Sequence, residues 1–243
     1  MKKVFAILII MAFFSCKKEN MFDCFKGTGD IISKKIELAE FQTLYIEDKF
    51  DVNIFHDSID FIEISAGENL IPSIIVENKN GTLSIRNDNK CNWTRSYRKL
   101  ISLDVHTQNL NKIEIYGPSD IFFHDTLSVD TFYIDIRTGA SSVYAKLDCN
   151  ASYFRVHSGT GTFKLEGHTQ FNYVYSIGYG FVYSHNFIAT NCQVINNSTG
   201  DCFVYASDKL QVEYNSVGNI YYYGNPETIE ILEQSTGKIL AME

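Results

Sequence analysis

Only three prolines and one tryptophan occur in the 243 residues, and no sustained heptad or 3.6-residue apolar period appears. Little room is left for helix. Long apolar runs are also missing: the longest, Val4 to Phe14, holds 11 residues, where a membrane-crossing helix needs roughly 20. Positive charge is scarce, with 21 Lys and Arg against 29 Asp and Glu, and 19 against 29 once Lys2 and Lys3 are set aside. That balance excludes nucleic acid and anionic lipid surfaces as partners. The six histidines and the scattered cysteines match no zinc spacing, so no metal or cofactor is expected. No G-x-S-x-G nucleophile elbow occurs. "GTG", "GYG" and "STGD" precede no helix, so they are not phosphate loops.

What is present points to a folded, exported chain. Hydrophobic residues make up 45% and aromatics 14%, enough for a sizeable core. Residues 1–15 read as a signal peptide: Lys2 and Lys3, a short apolar run, then Ser15 before Cys16. This junction is similar to the lipobox of bacterial lipoproteins, so Cys16 is the expected lipidation site and membrane anchor, and residues 16–29 a polar tether. The expected address is the cell envelope, as an outer-membrane lipoprotein. Five cysteines remain beyond Cys16, which leaves at least one thiol free. Cys149, Cys192 and Cys202 lie in strand-like contexts and read as small core residues. A Cys24–Cys91 disulfide stays open.

From Phe41 the chain alternates apolar and polar residues in short runs, with a turn signal at Asn80-Gly81. Residues 30–99 are read as N-terminal strands that cap or extend the first coil, with a polar loop over residues 90–99. From residue 100 to residue 243 a repeat takes over. Turns at Gly117, Gly139, Gly159, Gly178, Thr199 and Val217 are spaced by 22, 20, 19, 21 and 18 residues, the mark of a solenoid. Four residues after these turns stand Ile121, Val143, Phe163, Val182, Phe203 and Tyr221, an expected inward column. A second column runs through Ile134, Phe154, Tyr173, Val194 and Val212, with Asp135, Arg155, Val174, Ile195 and Glu213 facing outward. The predicted fold is all-β, a parallel β-helix with coils of about 20 residues.

The order of "FQTLYIEDKFDVNI", "NGTLSI", "TGASSV", "SGTGTF", "IGYGFV", "STGDCF" and "SVGNIYYYGNP" resembles the putative auto-transporter adhesin, head GIN domain family, over roughly Ile36 to Ile239. The resemblance implies a right-handed parallel β-helix with an adhesin role, and it brings no catalytic residues. Thr199 and Val217 depart from the glycine starts of the other repeats.

β-Helices also carry polysaccharide lyases and hydrolases, the alternative function. Asp120, Asp125, Asp130, Asp135, Asp148 and Asp201 are read into different columns, so no stacked acidic pair is expected and no catalytic residue is assigned. His157 and Ser158 are adjacent and face opposite ways. Five residues after the turns stand Tyr144, Tyr183 and Tyr222, read as an outward stacking platform for a glycan or a surface protein. In "SVGNIYYYGNP", Tyr221 and Tyr223 are then inward. "DSI" at Asp57 and "DTL" at Asp125 resemble short O-glycosylation sites of Bacteroidetes-type envelope proteins. The expected function is a non-enzymatic, lipid-anchored adhesin or binding scaffold.

Overall fold

The computed structural model describes residues 27–89, 101–233 and 235–243. Cys16, Cys24, Cys91 and the expected loop over residues 90–99 lie outside the described residues. The chain forms one parallel β-solenoid of about six turns with coils of about 20 residues, and no α-helix occurs among the described residues. The strands are β1 (Ile31–Glu37), β2 (Thr43–Glu47), β3 (Asp51–His56), β4 (Phe61–Gly67), β5 (Ile74–Lys79) and β6 (Thr82–Asn87). They continue with β7 (Ser102–Thr107), β8 (Lys112–Tyr116), β9 (Asp120–Phe123), β10 (Leu127–Thr138), β11 (Ala140–Val156), β12 (Thr160–Gly178) and β13 (Phe181–Ser198). The last are β14 (Cys202–Tyr205), β15 (Lys209–Tyr214), β16 (Ile220–Tyr223), β17 (Thr228–Glu233) and β18 (Ile239–Ala241).

Each coil has three runs. The first side stacks β6, β2, β8, the second half of β10, then 151–156, 171–178, 191–198, β15 and β17 in parallel. The second side stacks β7, β3, β9, then 140–146, 160–166, the start of β13, β14, β16 and β18. A short third side runs through 127–129, 147–149, 167–169 and 187–189.

Alternation at period two sends every second side chain inward, where it lands on its counterpart one coil away. On the first side Ile113, Ile134, Phe154, Val174, Val194 and Val212 are all fully buried, as are Ile121, Val143, Phe163, Val182, Cys202 and Ile220 on the second. Each such side chain contributes about 1.5–3 kcal/mol. Phe154 meets Phe163 across the core at 5.5 Å and Phe187 edge-on at 6.0 Å. The three cysteines read as core residues are buried and free; burial pushes the Cys192 thiol up to about 12.

The N-terminal strands both extend and cap the solenoid. β2 and β3 join the parallel stack, while β4 runs antiparallel to β7 and β1 antiparallel to β4. β5 and β6 form a hairpin whose turn, Asn80-Gly81, has φ of 51° and 76°, the positive angles that two-residue hairpin turns require. Residues 27–30, partly within the expected tether, lie against the end of β4: Thr28 and Asp30 carbonyls accept from Asn69 and Glu68 at 3.2 and 2.9 Å. At the other end β17 and β18 form the final coil, each paired with one strand among the described residues.

Two expected columns shift by one residue. Val174, not Tyr173, pairs with Phe154, so Tyr173 and Tyr175 face outward. Cys202 pairs with Val182 and Ile220 with Cys202, so Phe203 and Tyr221 also face outward. On the first side the inward Val174 stands four residues before its turn glycine, where Phe154 stands five before Gly159; on the second side the cause lies at the corner between the two, where the backbones of successive coils touch. Up to Gly178 the close approach falls at the turn glycine; from Gly180 it moves two residues on, to Gly200, Gly218 and Gly237.

Gly159, at φ +87°, would place a Cβ 2.2 Å from the Gly139 carbonyl oxygen, whereas Gly81 has open space around it. Gly159→Ala is expected to lower stability by at least ~3 kcal/mol, combining clash with conformational strain. Gly81→Ala retains only the strain, about 1–2 kcal/mol. Urea midpoints followed by circular dichroism check this; equal losses would contradict backbone contact at Gly159.

Candidate functional site

The outward side chains of the second side obey the same stacking. Register places Phe122, Tyr144, Lys164, Tyr183, Phe203 and Tyr221 in one column over successive coils. Phe122 and Tyr144 lie parallel with centroids 4.7 Å apart. Beyond Lys164 the stack resumes: Tyr183 on Phe203 at 5.1 Å, and Phe203 on Tyr221 at 4.7 Å with planes 8° apart. Phe181 lies beside Tyr183, with ring planes 8° apart. Phe122 and Phe181 remain 38% and 39% exposed, unusual for phenylalanine.

Two of the three tyrosines expected as a platform, Tyr144 and Tyr183, belong to this ladder. Tyr222 does not: it pairs with the buried Val204 and packs against the core. Tyr221 takes its place, and Phe122 and Phe203 complete the ladder. Tyr223 also faces outward, 5.1 Å from His185. The expected use as a stacking platform changes as well. Tyr144 has Phe122 on one face and the Lys164 ammonium 4.8 Å over its ring. The ladder therefore presents ring edges and hydroxyl tips rather than a row of open faces.

The capped end carries a second stack. Phe61, His106, Phe55 and His124 lie in series at 4.0, 4.7 and 4.4 Å, with the Lys35 ammonium 3.6 Å over Phe61. Beside it, Ser58 N–H donates to Asp57 at 2.6 Å and His106 approaches at 3.1 Å, which hold that carboxyl below its usual range. Ser58 and Thr126 of the two short motifs are exposed, and their turns touch, with His56 N–H donating to Asp125 at 3.2 Å.

Catalysis of glycosidic cleavage would need two carboxylates converging in one groove. None of the six aspartates of the repeats is a register partner of another, but Asp51 of the N-terminal strands stacks on Asp120 on the second side. Burial, then the Asp120 charge, pushes the Asp51 carboxyl up, while Asp120 accepts from Ser142 N–H at 3.1 Å. A separate groove of about 590 Å3 on the third side holds Asp130, Asp148, Asn150, His168 and Gln170. There Asn150 and Thr131 donate to Asp130 at 2.6 and 3.0 Å and hold it below the carboxylate range, the wrong direction for a proton donor. Among the described residues, the carboxyl raised in the direction of an acid, Asp51, is thus on a different side from the groove. His157 binds Asp135 at 2.8 Å, while Ser158 Oγ donates to the Arg137 carbonyl at 2.6 Å, so His157 and Ser158 form no nucleophile and base pair. No cluster of three or more metal-ligating side chains occurs among the described residues.

A family model described as "Putative auto-transporter adhesin, head GIN domain" matches residues 40–226. The structure is similar to a crystallised putative adhesin from Bacteroides fragilis, 21% identical, with 89% of this chain and 100% of the other covered and a TM-score of 0.82. It is also similar to a putative lipid binding protein from Parabacteroides distasonis (16% identity, 90% and 100% covered, TM-score 0.69) and a putative adhesin from Parabacteroides merdae (18%, 89% and 98%, 0.66). At these identities the likeness is one of fold. No curated protein matches the chain.

The two neighbouring tyrosines should separate by role. Tyr222→Ala, losing core packing, is expected to cost about 2 kcal/mol, and Tyr221→Ala less than about 1 kcal/mol. Thermal melts of the two variants measure this; a larger loss for Tyr221→Ala would reverse the assigned orientation.

Proposed function

Since the chain belongs to the putative auto-transporter adhesin, head GIN domain family, we propose that it is a non-enzymatic, lipid-anchored protein of the cell envelope that binds a partner through the aromatic ladder of its second side. The ladder carries this reading: five rings of one column over six coils, partly exposed, on a face whose backbone is already paired. Aromatic side chains with polar tips dominate protein interfaces at little entropic cost. Because ring faces are taken up by neighbouring rings and by Lys164, a surface protein suits the face better than stacked sugars. In the groove that Asp130 and Asp148 share, the hydrogen bonds that hold Asp130 below the carboxylate range leave it unsuited to donate a proton, which supports binding over hydrolysis.

Anchoring rests on the junction at Cys16. No helix among the described residues is long and apolar enough to cross a membrane, and acyl chains supply about 0.8 kcal/mol per buried methylene in its stead. Labelled palmitate is expected to enter the wild-type chain expressed in a bacterial host and to be absent from Cys16→Ala; label in that variant would remove the anchor.

Arrays of envelope and host surface proteins and of glycans, probed with the full chain, test the binding role. Tyr183→Ala, Phe203→Ala and Tyr221→Ala combined should weaken binding at least tenfold, as loss of aromatic anchors does. Unchanged binding by that variant would sink the ladder as the contact face.

A further inference from the structure

The first side carries a different outward arrangement. Tyr133, Tyr153 and Tyr173 form one column, the first two stacked at 4.8 Å and the next pair tilted at 5.8 Å. Beside it Glu114, Asp135, Arg155 and Tyr175 form the next column. Asp135 points outward yet is fully buried, because cations cover it. Arg155 Nη2 donates to Oδ2 at 3.0 Å while its Nε lies 2.8 Å from Oδ1 without making a hydrogen bond, and His157 Nε2 reaches Oδ1 at 2.8 Å.

Arg155 and His157 already hold this carboxylate, one on each oxygen. Arg137 is therefore in excess. Its Nη2 stands 3.7 Å from both Asp135 and Glu114, beyond a good hydrogen bond, and Glu114 is held by Lys112 at 2.5 Å. Its Nε is buried with no hydrogen-bond partner among the described residues. Three cations, Lys112, Arg137 and Arg155, face two carboxylates, so a local positive excess sits on a chain whose formal charge is −8.

We infer that this face is a second binding site, for the carboxylate or sulfate groups of an acidic polysaccharide, with Arg137 as its main anion contact. A guanidinium with unspent donors, about a third exposed, recognises oxyanions in two-point geometry. From the cluster, the column Tyr133, Tyr153, Tyr173 and Gln193 runs along the axis, offering a hydroxyl or amide on each coil to a polyhydroxylated chain. An acidic peptide fits less well: peptides bind sheets by adding to an open edge, and the backbone on this side is already paired in both directions. The site is separate from the aromatic ladder and stands without it.

The test uses the full chain and three immobilised probes, polygalacturonate, dextran sulfate and neutral dextran, with poly-glutamate as the peptide control, at about 0.15 M salt, where the Debye length is about 8 Å. The wild type should bind one or both acidic polysaccharides and not dextran. Arg137→Gln should weaken that binding at least tenfold with little change in thermal midpoint; Lys112→Gln, which spares the buried Asp135 pair, should weaken it less. The combined Tyr183, Phe203 and Tyr221 alanine variant should bind as the wild type does, which separates this site from the ladder. Binding of neither acidic polysaccharide, binding unaffected by Arg137→Gln, or equal binding of poly-glutamate would each overturn the proposal.

Discussion

In-register stacking of parallel coils is the constraint on which the rest of this structure depends. Neighbouring strands lie about 4.8 Å apart, so each side chain has its counterpart from the next coil directly beside it. Inward, this demands apolar columns of compatible size, met by Phe154 against Val174 and Phe163 against Val182. At the corner it demands backbones without side chains between them, met by glycines whose added Cβ would fall on a neighbouring carbonyl.

The same constraint governs what the surface can offer. Aromatic residues in one outward column are brought within stacking distance, so they spend their faces on each other, as Phe203 does between Tyr183 and Tyr221. Charged residues in one column must compensate or repel. Asp135 beside Arg155 shows compensation; Asp51 beside Asp120 shows repulsion, which together with burial raises the Asp51 carboxyl. Two sides of one regular scaffold thereby acquire distinct chemistry, one aromatic and one cationic.

The repeat, its period and most of the core were legible because they rest on alternation and on turn glycines, both local signals. Ile121, Val143, Phe163 and Val182 fell in their column without any knowledge of the fold. The register beyond Gly178 was not legible from the turn alignment. The contact glycine changes place there, and aligning Thr199 and Val217 with the earlier turns moved Phe203 and Tyr221 inward and Tyr222 outward. A signal existed: Gly180, Gly200, Gly218 and Gly237 each stand two residues before Val182, Cys202, Ile220 and Ile239. The Arg137 and Asp135 arrangement lay beyond reach, since it depends on a bulge between Ile136 and Thr138 that no local pattern announces.

The two ends of the solenoid differ, and the difference reaches the aromatic ladder. β1, β4 and the β5–β6 hairpin cover the first coil, whereas β17 and β18 leave Ile231, Leu232 and Leu240 exposed. In a stack held by nearest neighbours, the coil with one neighbour opens first. Tyr221 lies on β16, directly against β18, so the last ring of the ladder rides on the segment that frays most readily. A partner gripping Tyr221 would clamp that end, and occupancy and fraying become linked quantities, each shifting the other by mass action.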